Sequence, residues 1–159
     1  MIAADLAAVT DLSLRIHPAY PERGEVLAEK FALFPQGCFV LTDARAIQGY
    51  CFSHPWTTGA PPALDTFLET LPSGADSYFI HDLTLDRPAQ GKGRAQELVP
   101  RMVETALKTR LTRMALVAVN GSAPFWGRMG FQRTPDEAVQ QAARSKYDAG
   151  AVHMQRSLT

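Results

Sequence analysis

The stretch from Tyr78 to Val119 restricts the fold more than any other part of the chain. Tyr78 to Leu85 is rich in β-formers, and Asp86-Arg87-Pro88 turns out of it. Gln90-Gly91-Lys92-Gly93-Arg94-Ala95 follows. Apolar residues then recur at Ala95, Leu98, Val99, Met102, Val103, Ala106 and Leu107, the spacing of one helix face. Pro100 falls off that stripe, which predicts a continuous helix with a kink. Met114 to Val119 is apolar throughout, as in a strand covered on both faces. Strand, helix and strand in this order form a βαβ unit with a right-handed crossover and parallel strands.

The flanks supply the remaining layers. Ala3–Ile16 and Glu22–Phe34 read as amphipathic helices, stopped by Pro18 and Pro21 and by Pro35 and Gly37. Cys38–Thr42 and Ile47–Ser53 form an antiparallel hairpin with its turn over 42–46. Thr57–Gly74 is the loosest region, with a short helix expected around Ala63–Leu71. A short helix over Ser122–Met129, a strand from Phe131, a helix over Asp136–Lys146 and a strand over Ala151–Leu158 complete a mixed α/β chain.

At 159 residues the chain is the length of one domain, residues 1–159, without internal repeat or linker. Formal net charge +0 argues against a strongly basic nucleic-acid binder. The longest uncharged run, Ala46–Leu64 apart from its histidine, is broken by Pro55, Pro61 and Pro62, so no membrane span is expected. Two cysteines, Cys38 and Cys51, cannot build a disulfide framework and sit on apolar strands as packing residues. With no signal-peptide start, a reduced cytoplasmic location is the expectation. The four histidines and two cysteines lack metal-ligand spacing, so no metal is expected.

The glycine loop lies where a strand hands over to a helix N-terminus. Free backbone N–H groups and the helix dipole there suit a pyrophosphate, and Lys92 and Arg94 add charge. A simple glycine turn is the alternative. A P-loop needs Ser or Thr after its Gly-Lys, but Gly93 follows Lys92. A Rossmann fingerprint needs a small residue where Gln96 stands.

Gln90, Gly93 and Ala95, following Leu83-Thr84-Leu85, resemble the acyl-CoA loop of the GCN5-related N-acetyltransferases. The segment from Val119 through Asn120, Phe125 and Trp126 to Gly130-Phe131 resembles the same family's second hallmark, in the same order and spacing. The resemblance covers Gly37–Phe131 well and is looser over the N-terminal helices; the family's usual first strand is missing or clipped. It implies the acyl-CoA N-acyltransferase fold, a central mixed sheet with splayed parallel strands and flanking helices. It further implies acetyl-CoA as acyl donor and an amine of a small molecule or protein as acceptor, in a monomer or homodimer.

By the same resemblance the pantetheine arm lies along Leu83, Thr84 and Leu85, with Leu83 and Leu85 offering main-chain groups. The backbone of Gln90, Gly91, Lys92, Gly93, Arg94 and Ala95 holds the pyrophosphate. Asn120, Ser122, Phe125 and Trp126 border the thiol end and the adenine side.

Transfer needs a neutral amine, a donor to the oxyanion and departure of sulfur. Histidine as a residue type can act as a base near neutrality, and by the resemblance His81 matches a strand histidine used for deprotonation in the related serotonin N-acetyltransferases; a histidine wedged in the sheet is the alternative. Strand alternation puts His81 and Asp82 on opposite faces unless a bulge re-aims them. Trp126 stands where many members carry an acidic tyrosine, and Tyr147 is a candidate substitute. The acceptor pocket is expected between the N-terminal helices, the 57–74 loop and Tyr147, with Tyr20, Trp56, Phe67 and Tyr78 as aromatic lining. An acyl-CoA sensor without transfer activity is the competing reading, and ATP binding a weaker third.

Overall fold

The computed structural model describes residues 1–43 and 46–159; the tip of the expected hairpin turn, residues 44 and 45, lies outside the described residues. The N-terminal helices are α1, Leu6–Ile16, and α2, Gly24–Leu33. Strands β1, Cys38–Thr42, and β2, Ile47–Trp56, follow them. The βαβ unit is β3, Ser77–Leu85, α3, Arg94–Lys108, and β4, Arg113–Ala118. Helix α4, Ala123–Arg128, strand β5, Gln132–Arg133, helix α5, Glu137–Lys146, and strand β6, Val152–Ser157, complete the order.

One six-stranded sheet runs β1-β2-β3-β4-β6-β5. Among the described residues only β3 and β4 pair in parallel, as the crossover helix between them requires. Alternation along β2 divides its side chains between two cores. Cys51 joins Tyr78, Ile80, Val99, Met102 and Ala106 against α3, while Tyr50 and Phe52 join Val9, Leu12 and Leu27 against α1 and α2. Both cysteines are free and buried, and burial pushes their thiols up, that of Cys38 to about 12. Helix α3 runs continuously through Pro100, whose ring is exposed. Among the described residues no helix is long and apolar enough to cross a membrane.

The structure corrects the sequence in the 57–76 segment, where the helix expected around Ala63–Leu71 does not form. Asp65 and Glu69 instead adopt left-handed backbone angles, φ 50° and 61°, which a right-handed helix excludes. Hydrogen bonds with distant residues hold the segment in place of helical ones. Asp65 accepts from the Arg23 backbone at 2.8 Å, and the Glu29 carboxylate accepts from the Leu68 and Glu69 N–H groups at 2.7 and 2.8 Å. Lys146 and the Tyr147 hydroxyl donate to the Pro61 and Pro62 carbonyls. Helix α2 also starts later than expected, which leaves Glu22 outside it and turned inward.

Candidate functional site

Strands β3 and β4 pair at Tyr78–Met114, Phe79–Ala115 and Ile80–Leu116 and no further, although both continue. Their ends separate there, and a cavity of about 300 Å³ opens between them. Leu83, Leu85, Gln90, Ala95, Asn120, Ser122, Phe125 and Trp126 line one part of it. His17, Tyr20, Glu22, Leu64, His81, Asp82 and Tyr147 line the other.

At the helix end, Gly91 and Gly93 take φ 71° and 75°, and Gly93 is the N-cap of α3. A Cβ built on either meets nothing within 4 Å, so the loop backbone is open to a ligand. The first-turn N–H groups of a 15-residue helix point there without intrahelical partners. The Gln90 side chain anchors the loop by donating to the Leu85 carbonyl at 2.8 Å. Gly91, Lys92 and Arg94 lie on the open surface at the mouth, with Arg94 paired to Glu97 at 3.1 Å. A second left-handed pair, Asn120 and Gly121, turns β4 into α4 and sets Asn120 and Ser122 on the rim. Trp126 is only 7 % exposed and packs edge-on against Phe125 and Phe131, so it serves the core as well as the wall.

The other end depends on a β-bulge. Phe52 pairs with Asp82 and Ser53 with Ile80, so His81 is the extra residue of β3. The bulge cancels the alternation expected of neighbours, and His81 and Asp82 both turn toward the α1–α2 side. His81 Nε2 meets both Glu22 oxygens at 3.1 Å, while Asp82 accepts from the Tyr50 hydroxyl at 2.6 Å. Thr84 is buried, and its hydroxyl donates to Asp82 at 2.9 Å rather than facing the cavity. Having spent its single proton on Asp82, Thr84 accepts from His17 Nε2, which leaves His17 Nδ1 as the nitrogen with a lone pair.

The two imidazoles differ in access. The His81 side chain is 0 % exposed and that of His17 22 %. His81 Nε2 is committed to Glu22, and its Nδ1 is buried and has no partner among the described residues. Glu22 also accepts from Lys30 Nζ at 3.1 Å and from the Asp65 N–H at 3.2 Å. Burial pushes the Glu22 carboxyl up, but His81 and Lys30 outweigh it and hold the group at about 2. Burial raises Asp82 against the opposing pull of His17, Tyr50 and Thr84.

Tyr147 faces the cavity rather than open solvent, and its hydroxyl proton goes to the Pro62 carbonyl at 2.9 Å. Burial raises its pKa. Of the other aromatics expected at the acceptor end, only Tyr20 lines the cavity. Trp56 turns back to the Ala60 carbonyl, Phe67 lies on the surface beneath Arg23, and Tyr78 is sealed in the α3 core. His17 and Glu22 were not singled out as site residues by sequence. Each follows a helix or precedes one, where hydropathy periodicity says nothing of direction.

The profile described as the Acetyltransferase (GNAT) family matches residues 6–131. No curated protein matches the sequence significantly. Among solved structures, Ard1 from Thermoplasma volcanium superposes with TM-score 0.73 at 11% identity, over 100% of this chain and 95% of that one. N-acetylglutamate synthase from Neisseria gonorrhoeae, complexed with coenzyme A and N-acetyl-glutamate, gives 0.72 at 15% identity over 99% of this chain and 34% of its own. GphF, a GNAT-like decarboxylase in complex with isobutyryl-CoA, gives 0.74 at 17% identity over 100% and 97%.

Proposed function

The chain belongs to the GNAT acetyltransferase family, and from that premise we propose that it moves an acetyl group from acetyl-CoA to a primary amine by direct attack on the thioester. One observation carries the reading: a single cavity runs from Gln90 and Ala95, which flank an open glycine loop at a helix N-terminus, to a cluster of titratable groups. Neighbours of the same fold hold coenzyme A or an acyl-CoA, which supports the donor. The fold also carries a decarboxylase, so the reaction rests on the site rather than on the architecture.

An amine arrives mostly protonated, since a lysine-like pKa is near ~10.4. His17 Nδ1 takes that proton, because His17 is the imidazole a ligand in the cavity can reach. Thr84 orients His17, and Asp82 at 3.9 Å stabilises the imidazolium that forms. His81, tied to Glu22, shapes the wall from behind. The neutral nitrogen attacks the carbonyl carbon, an N–H of the main chain near Leu83 meets the oxyanion, and the C–S bond breaks. As the amide forms, nitrogen's second proton passes to the departing sulfur, which leaves as the coenzyme A thiol, and His17 returns the first proton to solvent; a thiolate with a cysteine-like pKa near ~8.5 needs no dedicated acid. That agrees with a Tyr147 hydroxyl already committed to Pro62.

Thiol release from acetyl-CoA across a panel of amines tests the reaction. His17→Ala is expected to lower turnover ~100-fold at neutral pH, within the range for general bases, with recovery in alkali where the amine is already neutral. A pH–rate profile that instead shifts only in His81→Ala transfers the role to His81. Tight acetyl-CoA binding without thiol release from any amine favours the sensor reading.

The loop has its own test. Gly93→Ala has room for the methyl group but strains a backbone at φ 75° by roughly 1–2 kcal/mol. The variant is expected to fold with a lowered Tm and to bind acetyl-CoA at least ~10-fold more weakly by calorimetry. Unchanged affinity removes the loop from the binding site.

A further inference from the structure

We propose that the acceptor is a small primary amine with no carboxylate on its amine-bearing carbon, and that Asp82 imposes this choice; the proposal rests on the transfer reading above. The acceptor end presents two carboxylates, Glu22 and Asp82, and no lysine or arginine among its lining residues. Glu22 is balanced by Lys30, whose side chain is 1 % exposed and out of an acceptor's reach. Among the described residues the only ion-pair partner of Asp82 is His17 at 3.9 Å. An imidazole that takes the amine's proton must be neutral when the acceptor arrives, so it cannot also be the cation that holds a carboxylate.

The hydroxyl donors are committed as well. Tyr50 and Thr84 donate to Asp82 itself, Tyr20 donates to Asp148, and Tyr147 donates to Pro62. The carboxylate of a free α-amino acid would enter this end without a lysine, an arginine or a free tyrosine or threonine hydroxyl to meet it, and beside the Asp82 carboxylate. In a partly desolvated site that repulsion is poorly screened. An ammonium group gains Asp82 instead. Leu64 and the rings of Tyr20 and Tyr147 leave an apolar surface for the rest of the molecule.

The test uses three compounds with one side chain: phenethylamine, phenylalanine amide and phenylalanine. For each, kcat/KM is measured by thiol release, and binding to the coenzyme A-saturated protein is measured by calorimetry. Phenethylamine and the amide are expected to exceed phenylalanine by at least ~10-fold in both measurements, through like-charge exclusion of the acid. The amide separates charge from bulk, since it differs from phenylalanine in charge but hardly in size. Asp82→Asn is expected to shrink the gap to below ~3-fold in binding, with the wild-type comparison standing on its own if that variant does not fold. Phenylalanine equal to its amide overturns the proposal, as does an unchanged gap in a folded Asp82→Asn. Binding of none of the three overturns the placement of the acceptor at this end. No thiol release from any of them, with the binding order preserved, overturns the transfer reading and leaves the charge rule standing.

Discussion

Glu22→Ala is expected to destabilise the protein by about 3–5 kcal/mol, the cost of stripping one partner from a buried ion pair. The carboxylate receives Lys30, His81 and the Asp65 N–H together, and Lys30 is 1 % exposed. Removing it leaves an ammonium group in the interior with, among the described residues, only the Thr66 carbonyl, at 3.4 Å, to face. The double variant Glu22→Leu with Lys30→Met removes both charges and is expected to recover most of the loss. Urea unfolding at neutral pH measures both. A single variant within 1 kcal/mol of wild type, on the order of a surface pair, would mean that the Glu22–Lys30 pair contributes no more than an exposed one.

A second large effect is acid sensitivity beginning above the carboxylate range. Burial, followed by the charge of His81, lowers His54 to about 3, and burial lowers His153 to about 4. The unfolded chain binds a proton at each near 6.5, so between that value and the folded one the unfolded state holds more protons. Stability therefore falls as pH drops below about 6.5, at up to 1.36 kcal/mol per pH unit per histidine. Between pH 7 and 5 the two together are expected to remove about 4 kcal/mol, a large share of the 5–15 kcal/mol typical of a folded domain. Glu22 adds its own loss only lower, as pH falls from 4.5 toward 2. Unfolding midpoints at pH 7, 6 and 5 test this, and His54→Phe should roughly halve the slope. Equal stability at pH 7 and 5 would contradict it.

The sheet, the crossover helix and the glycine loop were legible in the sequence because each carries a local signal. The stripe from Ala95 to Leu107 has helical period, and the apolar run at Met114–Val119 has the length of a covered strand. Residues 63–71 misled because their composition permits a helix, while their conformation is dictated by Arg23 and Glu29, some forty positions away. His81 was visible as a strand histidine near the thioester segment. A histidine wedged in the sheet is the alternative reading; the pairing with Glu22 was not legible, because a one-residue shift in pairing with β2 leaves no mark on hydropathy. Tyr147 could be named as a candidate, but the Pro62 carbonyl that takes its proton is a tertiary fact. The end of the cavity proposed for the acceptor is assembled from turns and chain reversals, and no period describes those.

The 61–69 segment has consequences for how such a site diversifies. Its shape is maintained by Arg23 and Glu29 on one flank and by Lys146 and Tyr147 on the other. If the acceptor sits where proposed, selection can therefore reshape its wall through Arg23, Glu29 or Lys146, none of which lines the cavity. Exchanging a tether on α2 or at the end of α5 lets Leu64 move while the sheet, the bulge and the glycine loop keep their places. Such a layout separates inheritance of the chemistry from inheritance of the substrate. Under the proposed transfer, two descendants of this chain could share every residue around the thioester and still serve different amines.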